Sequence, residues 1–284
     1  MSDSAARLPD VEFSALPVRR VDAVLPTEAP YAVGSPRPAA APAAGPPAPP
    51  PAAPAAAPAW PATIPAVAQL LREGLELSDC TILVGPNGSG KSTIIEAVAT
   101  AYGLNPEGGS TGAQHRTQAS ESPLHEWLRL TRGAGSSKWG YFVRAETMHG
   151  LFTYLSATRS ESRWSRDPEF HALSHGESFV ALLGSSRFGK DGFFVMDEPE
   201  AGLSFEAQLH LVAELADMAR RPRAQVLIAT HSPVIAAIPN ARLLELGPHG
   251  IRETRWTELE VVDHYRRFLA EPRRYLRHVV DDPF

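Results

Sequence analysis

The chain has 284 residues, of which 43% are hydrophobic and 21% charged, with a formal net charge of -5. This is an ordinary globular balance, enough for one large α/β domain or two small ones. The acidic excess gives no footprint for tight, non-specific nucleic-acid binding and leaves only a local basic patch open. The longest apolar runs, such as Val226-Leu227-Ile228-Ala229, fall far short of a membrane span. Asp3, Asp10 and Glu12 open the chain without an apolar core of the signal-peptide kind, so a cytoplasmic location is expected. A single cysteine, Cys80, excludes an internal disulfide and reads as a small core residue.

In chain order, residues 1–12 read as a disordered tail. Residues 13–33 hold one candidate strand, Val18 to Val24, with weak alternation. From Gly34 to about Ala59 the sequence is almost all proline and alanine. It lacks the apolar surface to offset ordering entropy and favours an extended polyproline conformation. We expect a disordered linker over 34–59; a proline-recognition ligand is the alternative. An ordered domain is expected over 60–284. Trp60 reads as a core residue, with stacking on a base as the alternative. Ile64, Val67, Leu70 and Leu71 lie at helical spacing and predict a short amphipathic helix or turn over Ile64 to Leu75.

Thr81-Ile82-Leu83-Val84 read as a buried strand, and Thr93 to Ala99 as a helix. Between them stands Gly85-Pro86-Asn87-Gly88-Ser89-Gly90-Lys91-Ser92, the phosphate-loop pattern in the context it requires. The glycines let successive amides point at one centre. With the positive end of the helix, they bind a β-phosphate. Lys91 adds a movable charge for the β- and γ-phosphates, and the Ser92 hydroxyl can ligate Mg²⁺. ATP is the expected nucleotide, held by Gly85 to Thr93.

Gly103 to Ser122 reads as a long loop. Leu124 to Arg132 fits a strand or a short helix. Gly140 to Ala145 is a clearer strand ending at Glu146. Met148 to Ala157 reads as a helix, and 156–167 as exposed. Leu173-Ser174-His175-Gly176-Glu177 opens a helix through Leu183. Ser174 can cap it and leave donors free for an anion; a plain capping box with Glu177 is the alternative.

Gly192 to Met196 is a continuously apolar strand, as in a sheet covered on both faces. It ends in Asp197-Glu198, where ligand sites of open α/β sheets lie. Asp197 can hold Mg²⁺, and Glu198 can orient or deprotonate an attacking water. A helix follows from about Ser204 to Arg220, its apolar side formed by Ala207, Leu209, Leu211, Val212, Leu215 and Met218. The next strand, Gln225 to Ala229, ends in Thr230-His231-Ser232, and His231 can reach a γ-phosphate. Two short strands, 241–246 and 251–255, and a terminal helix over 258–270 complete the chain. Alternating strands and helices predict a mainly parallel sheet with helices on both faces.

Phosphate loop, L-S-x-G-E, apolar strand with D-E-P, then T-H-S, in this order, resembles the ATP-binding-cassette (ABC) ATPase superfamily. The likeness runs from Thr81 to Pro233, and the run Gly140 to Glu146 with Ser174 to Phe179 is similar to its soluble single-domain members. The resemblance implies a P-loop fold with a small antiparallel β part and a helical signature subdomain. It implies Mg²⁺-dependent ATP hydrolysis with Glu198, His231 and Lys91 catalytic, and metal at Ser92, Asp197 and Glu146. It also implies head-to-tail homodimers in which Ser174, His175, Gly176 and Glu177 meet the γ-phosphate held by the partner's Lys91. Glu146 stands where transporter cassettes carry glutamine, with Gln118 as its rival for that place. Pro199-Glu200-Ala201-Gly202-Leu203-Ser204 lacks the terminal aspartate common in transporters and is more like chromosome-maintenance and repair ATPases. The span from Lys91 to Leu173 is too short for their long coiled coil. A role in DNA repair or genome defence is therefore expected. The alternatives are the motor subunit of a transporter, with a membrane partner, and a non-hydrolysing ATP-gated scaffold.

Overall fold

A computed structural model describes residues 15–24, 60–111, 122–147, 175–277 and 279–280. The expectations for the tail, the Pro/Ala linker, Gln118, the 148–157 helix and Ser174 concern residues outside these. The described elements are β1 (Arg20–Ala23), α1 (Pro65–Glu73), β2 (Leu75–Glu76), β3 (Cys80–Val84) and α2 (Lys91–Tyr102). Then come β4 (Gly109–Ser110), β5 (Leu128–Thr131), β6 (Gly140–Arg144), α3 (His175–Leu183) and β7 (Gly192–Asp197). The chain continues with α4 (Phe205–Ala219), β8 (Ala224–Thr230), β9 (Arg242–Gly247), β10 (Gly250–Thr254), α5 (Glu260–Ala270) and α6 (Pro272–Leu276).

The main sheet runs β10-β9-β3-β8-β7-β6-β4. β9, β3, β8, β7 and β6 are mutually parallel, with Ile82 opposite Ile228 and Met196 opposite Ile228 on its other side. β10 and β4 close the two edges antiparallel. A second, antiparallel sheet runs β2-β1-β5. Together these make the P-loop ATPase fold with its small antiparallel part.

Strand side chains alternate between two cores, as the period of two requires. Ile82, Val84, Tyr141, Phe194, Met196, Val226 and Ile228 pack with α3, α4 and Val262 of α5. Leu83, Phe142, Phe193, Val195, Leu227 and Ala229 pack on the other face with α1, α2 and the small sheet. Gln225 breaks the apolar run of β8 for a reason. Its buried amide accepts from Val18 N at 2.8 Å and donates to Val18 O at 2.6 Å and Ser78 O at 3.0 Å. One side chain thereby ties the segment before β1 and the turn after β2 to the large sheet. Cys80 opens β3, buried, and burial pushes its thiol up to about 12.

Several local expectations are corrected. The stretch 124–132 is both forms in succession, a 3₁₀ turn at Pro123–Trp127 and then β5. The 103–122 loop contains the two-residue β4, too short to carry a pattern, held by pairing to β6. Leu209 is 49% exposed and does not belong to the packed side of α4. Trp60 is 56% exposed and lies outside the core, where Val67 and Leu70 of α1 take the buried positions. Pro272 starts the additional helix α6, as proline at a first helical position allows. No helix among the described residues is long and apolar enough to cross a membrane.

Candidate functional site

Four parallel strands, β3, β8, β7 and β6, bring their C-terminal ends to one edge. Residues 85–90 leave β3 as the glycine loop. Gly90 holds φ 97 before α2, and a Cβ there would lie 2.8 Å from Ile64 Cγ2. Both facts demand glycine. At Gly85 a Cβ would lie 2.3 Å from the Leu246 carbonyl oxygen. Pro86, Asn87 and Gly88 are exposed, and α2 starts at Lys91 with its first amides toward the loop. Thr93, the last residue expected to bind nucleotide, is in the first turn of α2.

Lys91 is 3% exposed. Its ammonium donates to the Gly85 carbonyl at 2.7 Å and the Pro86 carbonyl at 3.1 Å. Burial lowers its pKa, opposed by the nearby charges of Glu198, Asp197 and Glu200. The cation is thus stored inside the loop it would serve. Ser92 Oγ donates to Asp197 Oδ1 at 3.1 Å across 105 residues of sequence. Burial pushes the Asp197 carboxyl up to about 6, although Arg144 and the Ser92 hydroxyl pull it down.

Glu198 sits at φ 52, a left-handed conformation rare outside glycine. Its amide donates to the Ala229 carbonyl at 2.9 Å, which holds this turn against β8. Such strain costs on the order of 1–3 kcal/mol and concentrates at functional sites. Glu198 Oε1 lies 3.6 Å from His231 Nδ1, and Glu200 Oε1 lies 3.7 Å from the same atom. The structure therefore brings Lys91, Ser92, Asp197, Glu198 and His231 to one cleft.

Glu146 stands just beyond β6, its side chain 82% exposed and 3.6 Å from Arg144 Nη2. It bears on Asp197 through charge alone. His175, Gly176 and Glu177 form the first turn of α3.

Two residues that no motif marks also belong here. Glu200 is 6% exposed. One of its oxygens accepts from Thr230 Oγ1, from His231 N at 3.1 Å and from Ser232 N at 3.2 Å. It pins the loop that carries His231. Arg144 donates to Glu96 Oε2 at 2.7 Å and comes within 3.7 Å of Asp197 Oδ2. Its place as the last residue of an apolar strand is the one sequence signal that could have found it; the register that sets it level with Asp197 is visible only in the fold.

A Mg²⁺ ion suits this donor set. Among the described residues no three His, Cys, Asp or Glu side chains converge to hold a metal unaided. Mg²⁺ keeps waters and takes one or two carboxylates plus substrate phosphates. The adjacent hydroxyl of Ser92 and carboxylate of Asp197 match that habit.

Among curated proteins, the chain is 28% identical over 159 residues to "Zinc import ATP-binding protein ZnuC 1" of Aliivibrio fischeri, covering 55% of this chain and 60% of that one. It is 25% identical over 201 residues to "Hemin import ATP-binding protein HmuV" of Enterobacter cloacae, covering 61% and 72%. The chain thus spans about three fifths of the length of the first of these relatives. Among solved structures, "SMC head domain from Thermotoga maritima" aligns at TM-score 0.39 and 18% identity, over 64% of this chain and 93% of that one. The profile of the family described as "AAA domain, putative AbiEii toxin, Type IV TA system" matches residues 80–190 and 170–237, more than half of the 284 residues. The chain belongs to that family and is a P-loop ATPase of ABC type.

Proposed function

We propose that this chain binds ATP with Mg²⁺ and hydrolyses it between two copies of itself. The observation that carries the reading is the contact of Ser92 with Asp197, 3.1 Å apart, beside the buried Lys91. Ser92 and Asp197 would hold the metal, which neutralises phosphate oxygens when bound. Lys91 leaves the Gly85 and Pro86 carbonyls for the β- and γ-phosphate oxygens. Glu198 accepts a proton from the water that attacks the γ-phosphorus. The bond from that phosphorus to the β–γ bridging oxygen breaks, and ADP leaves with the electron pair. His231, held at its backbone by Glu200, donates toward the transferring group. Ser174, Gly176 and Glu177 of a second copy complete the site from across the interface, and Glu146 contacts metal or water from the end of β6.

For the work driven by the cycle, a cytoplasmic role in DNA repair or genome defence is favoured by Pro199 to Ser204, which lacks the aspartate of transporter cassettes. The second reading, a transporter motor with a membrane partner, is favoured by the likeness to zinc-import and hemin-import ATP-binding proteins. Phosphate release is measured with and without DNA, alongside light scattering with and without ATP. We expect turnover, a shift to dimer with ATP, and stimulation by DNA. Turnover unmoved by DNA, with copurification of a membrane protein, supports the transporter reading. ATP binding without turnover overturns the hydrolase in favour of an ATP-gated scaffold.

A further inference from the structure

Arg144 ends β6 among three carboxylates. Its side chain is 18% exposed. Nη1 donates to Glu96 Oε2 at 2.7 Å and to the Pro106 carbonyl at 3.3 Å. Nη2 lies 3.6 Å from Glu146 Oε2. Nε lies 3.7 Å from Asp197 Oδ2, beyond hydrogen-bond reach, and is buried without a hydrogen-bond partner. A buried donor left unmade costs free energy. What this placement supplies is charge, because Glu96, Glu146 and Asp197 surround the guanidinium with three acids. Glu96 is one helical turn beyond Ser92 on α2, and Asp197 accepts from Ser92. The cluster therefore lies directly behind the pair assigned to the metal.

We propose that Arg144 is a positioning residue: it balances this carboxylate cluster in the empty site, so that a divalent cation enters only together with nucleotide phosphate. The proposal rests on the Mg²⁺–ATP reading of the site. With the guanidinium in place, Ser92 and Asp197 offer too few ligands on their own, and phosphate oxygens must complete the shell. Without it, three carboxylates lose the counter-charge they share, and a bare divalent cation can draw them together in its place.

The test adds Mg²⁺ alone to the nucleotide-free chain and follows the midpoint of thermal unfolding. Wild type should move by about 1 °C or less, because nothing binds. Arg144→Met should start lower and climb by about 4 °C or more as Mg²⁺ fills the cluster. Arg144→Lys keeps the charge and should behave as wild type. A folded Arg144→Met chain with no Mg²⁺ response overturns the proposal, and so does a wild type that Mg²⁺ alone stabilises. Should Arg144→Met fail to fold, Glu96→Gln carries the test. With its anchor weakened, Arg144 turns its charge onto Asp197 and Glu146. The Mg²⁺ concentration needed to bind a fluorescent ATP analogue should then rise about threefold. An unchanged requirement overturns the proposal. A wild type that never binds the analogue refutes the ATPase reading instead, while the nucleotide-free titration reports on Arg144 by itself.

Discussion

Residues 85–92 and the ends of β7 and β8 meet where Ser92 touches Asp197, yet they are held in place by different means. The phosphate loop is shaped by backbone, through its glycine dihedrals and the start of α2, and the Lys91 ammonium only rests on two of its carbonyls. The acidic edge is fixed by side chains from afar. Glu200 ties down Thr230, His231 and Ser232, and Arg144 spans Glu96 and Asp197. Glu198 is held there in a left-handed turn. The loop therefore works as a cradle whose shape survives loss of a side chain. The edge works as a frame whose shape depends on side chains that touch no ligand.

Substitutions on the two sides should separate these roles. Lys91→Ala should have the largest effect on nucleotide: about a hundredfold loss of ATP affinity, from charge-assisted contacts worth about 3 kcal/mol. Its thermal midpoint without nucleotide should not fall, because the buried ammonium is itself costly to hold. A midpoint that drops by several degrees would show that Lys91 supports the loop. Glu200→Ala should do the reverse. It strands the Thr230 hydroxyl proton and the part-buried His231 amide, while Ser232 N keeps Thr230 Oγ1 at 2.9 Å, and should cost about 1–2 kcal/mol of stability in denaturant unfolding. ATP affinity should stay within a few-fold while turnover falls. Equal loss of both would place Glu200 on the nucleotide.

Asp197 supplies the pH test. Its folded-state value, about 6, lies above the ordinary 3.8, mainly through burial. The folded state therefore binds the proton more tightly than the unfolded one. The penalty from its ionised form grows between about pH 4 and 6 and is fully present above 6. Asp197→Asn should stabilise the nucleotide-free chain at pH 7.5 by about 2 kcal/mol, and the gain should vanish near pH 4. A gain that persists at pH 4 would mean that ionisation is not its source. The smallest effect is expected at Trp60. Trp60→Ala should change stability by no more than about 0.5 kcal/mol, as for other exposed positions. A tenfold loss of ATP affinity would instead make Trp60 the base platform, since stacking is worth about 1–3 kcal/mol.

The two sides also differ in how far the sequence exposes them. Lys91 and Ser92 were legible from the phosphate-loop spacing that opens α2, and Asp197, Glu198 and His231 because they stand at strand ends within a local pattern. The continuously apolar runs of β3, β7 and β8 foretold a sheet covered on both faces, and the two cores follow from it. Glu200 and Arg144 were not legible, because their partners lie 30 and 48 residues away and no spacing encodes that meeting. β4 has two residues and no pattern to read. Leu209 fitted the helical stripe of α4 yet is exposed, because periodicity ranks faces and does not fix the edge of a packed one.

The central claim is that a γ-phosphate sits where Lys91, Glu198 and His231 converge. Glu198→Gln tests it most directly, with ATP binding and phosphate release followed on the same sample. The account predicts binding within a few-fold of wild type, turnover reduced by about 10²–10⁴-fold, and an ATP-bound dimer that persists. Turnover at the wild-type rate would contradict it.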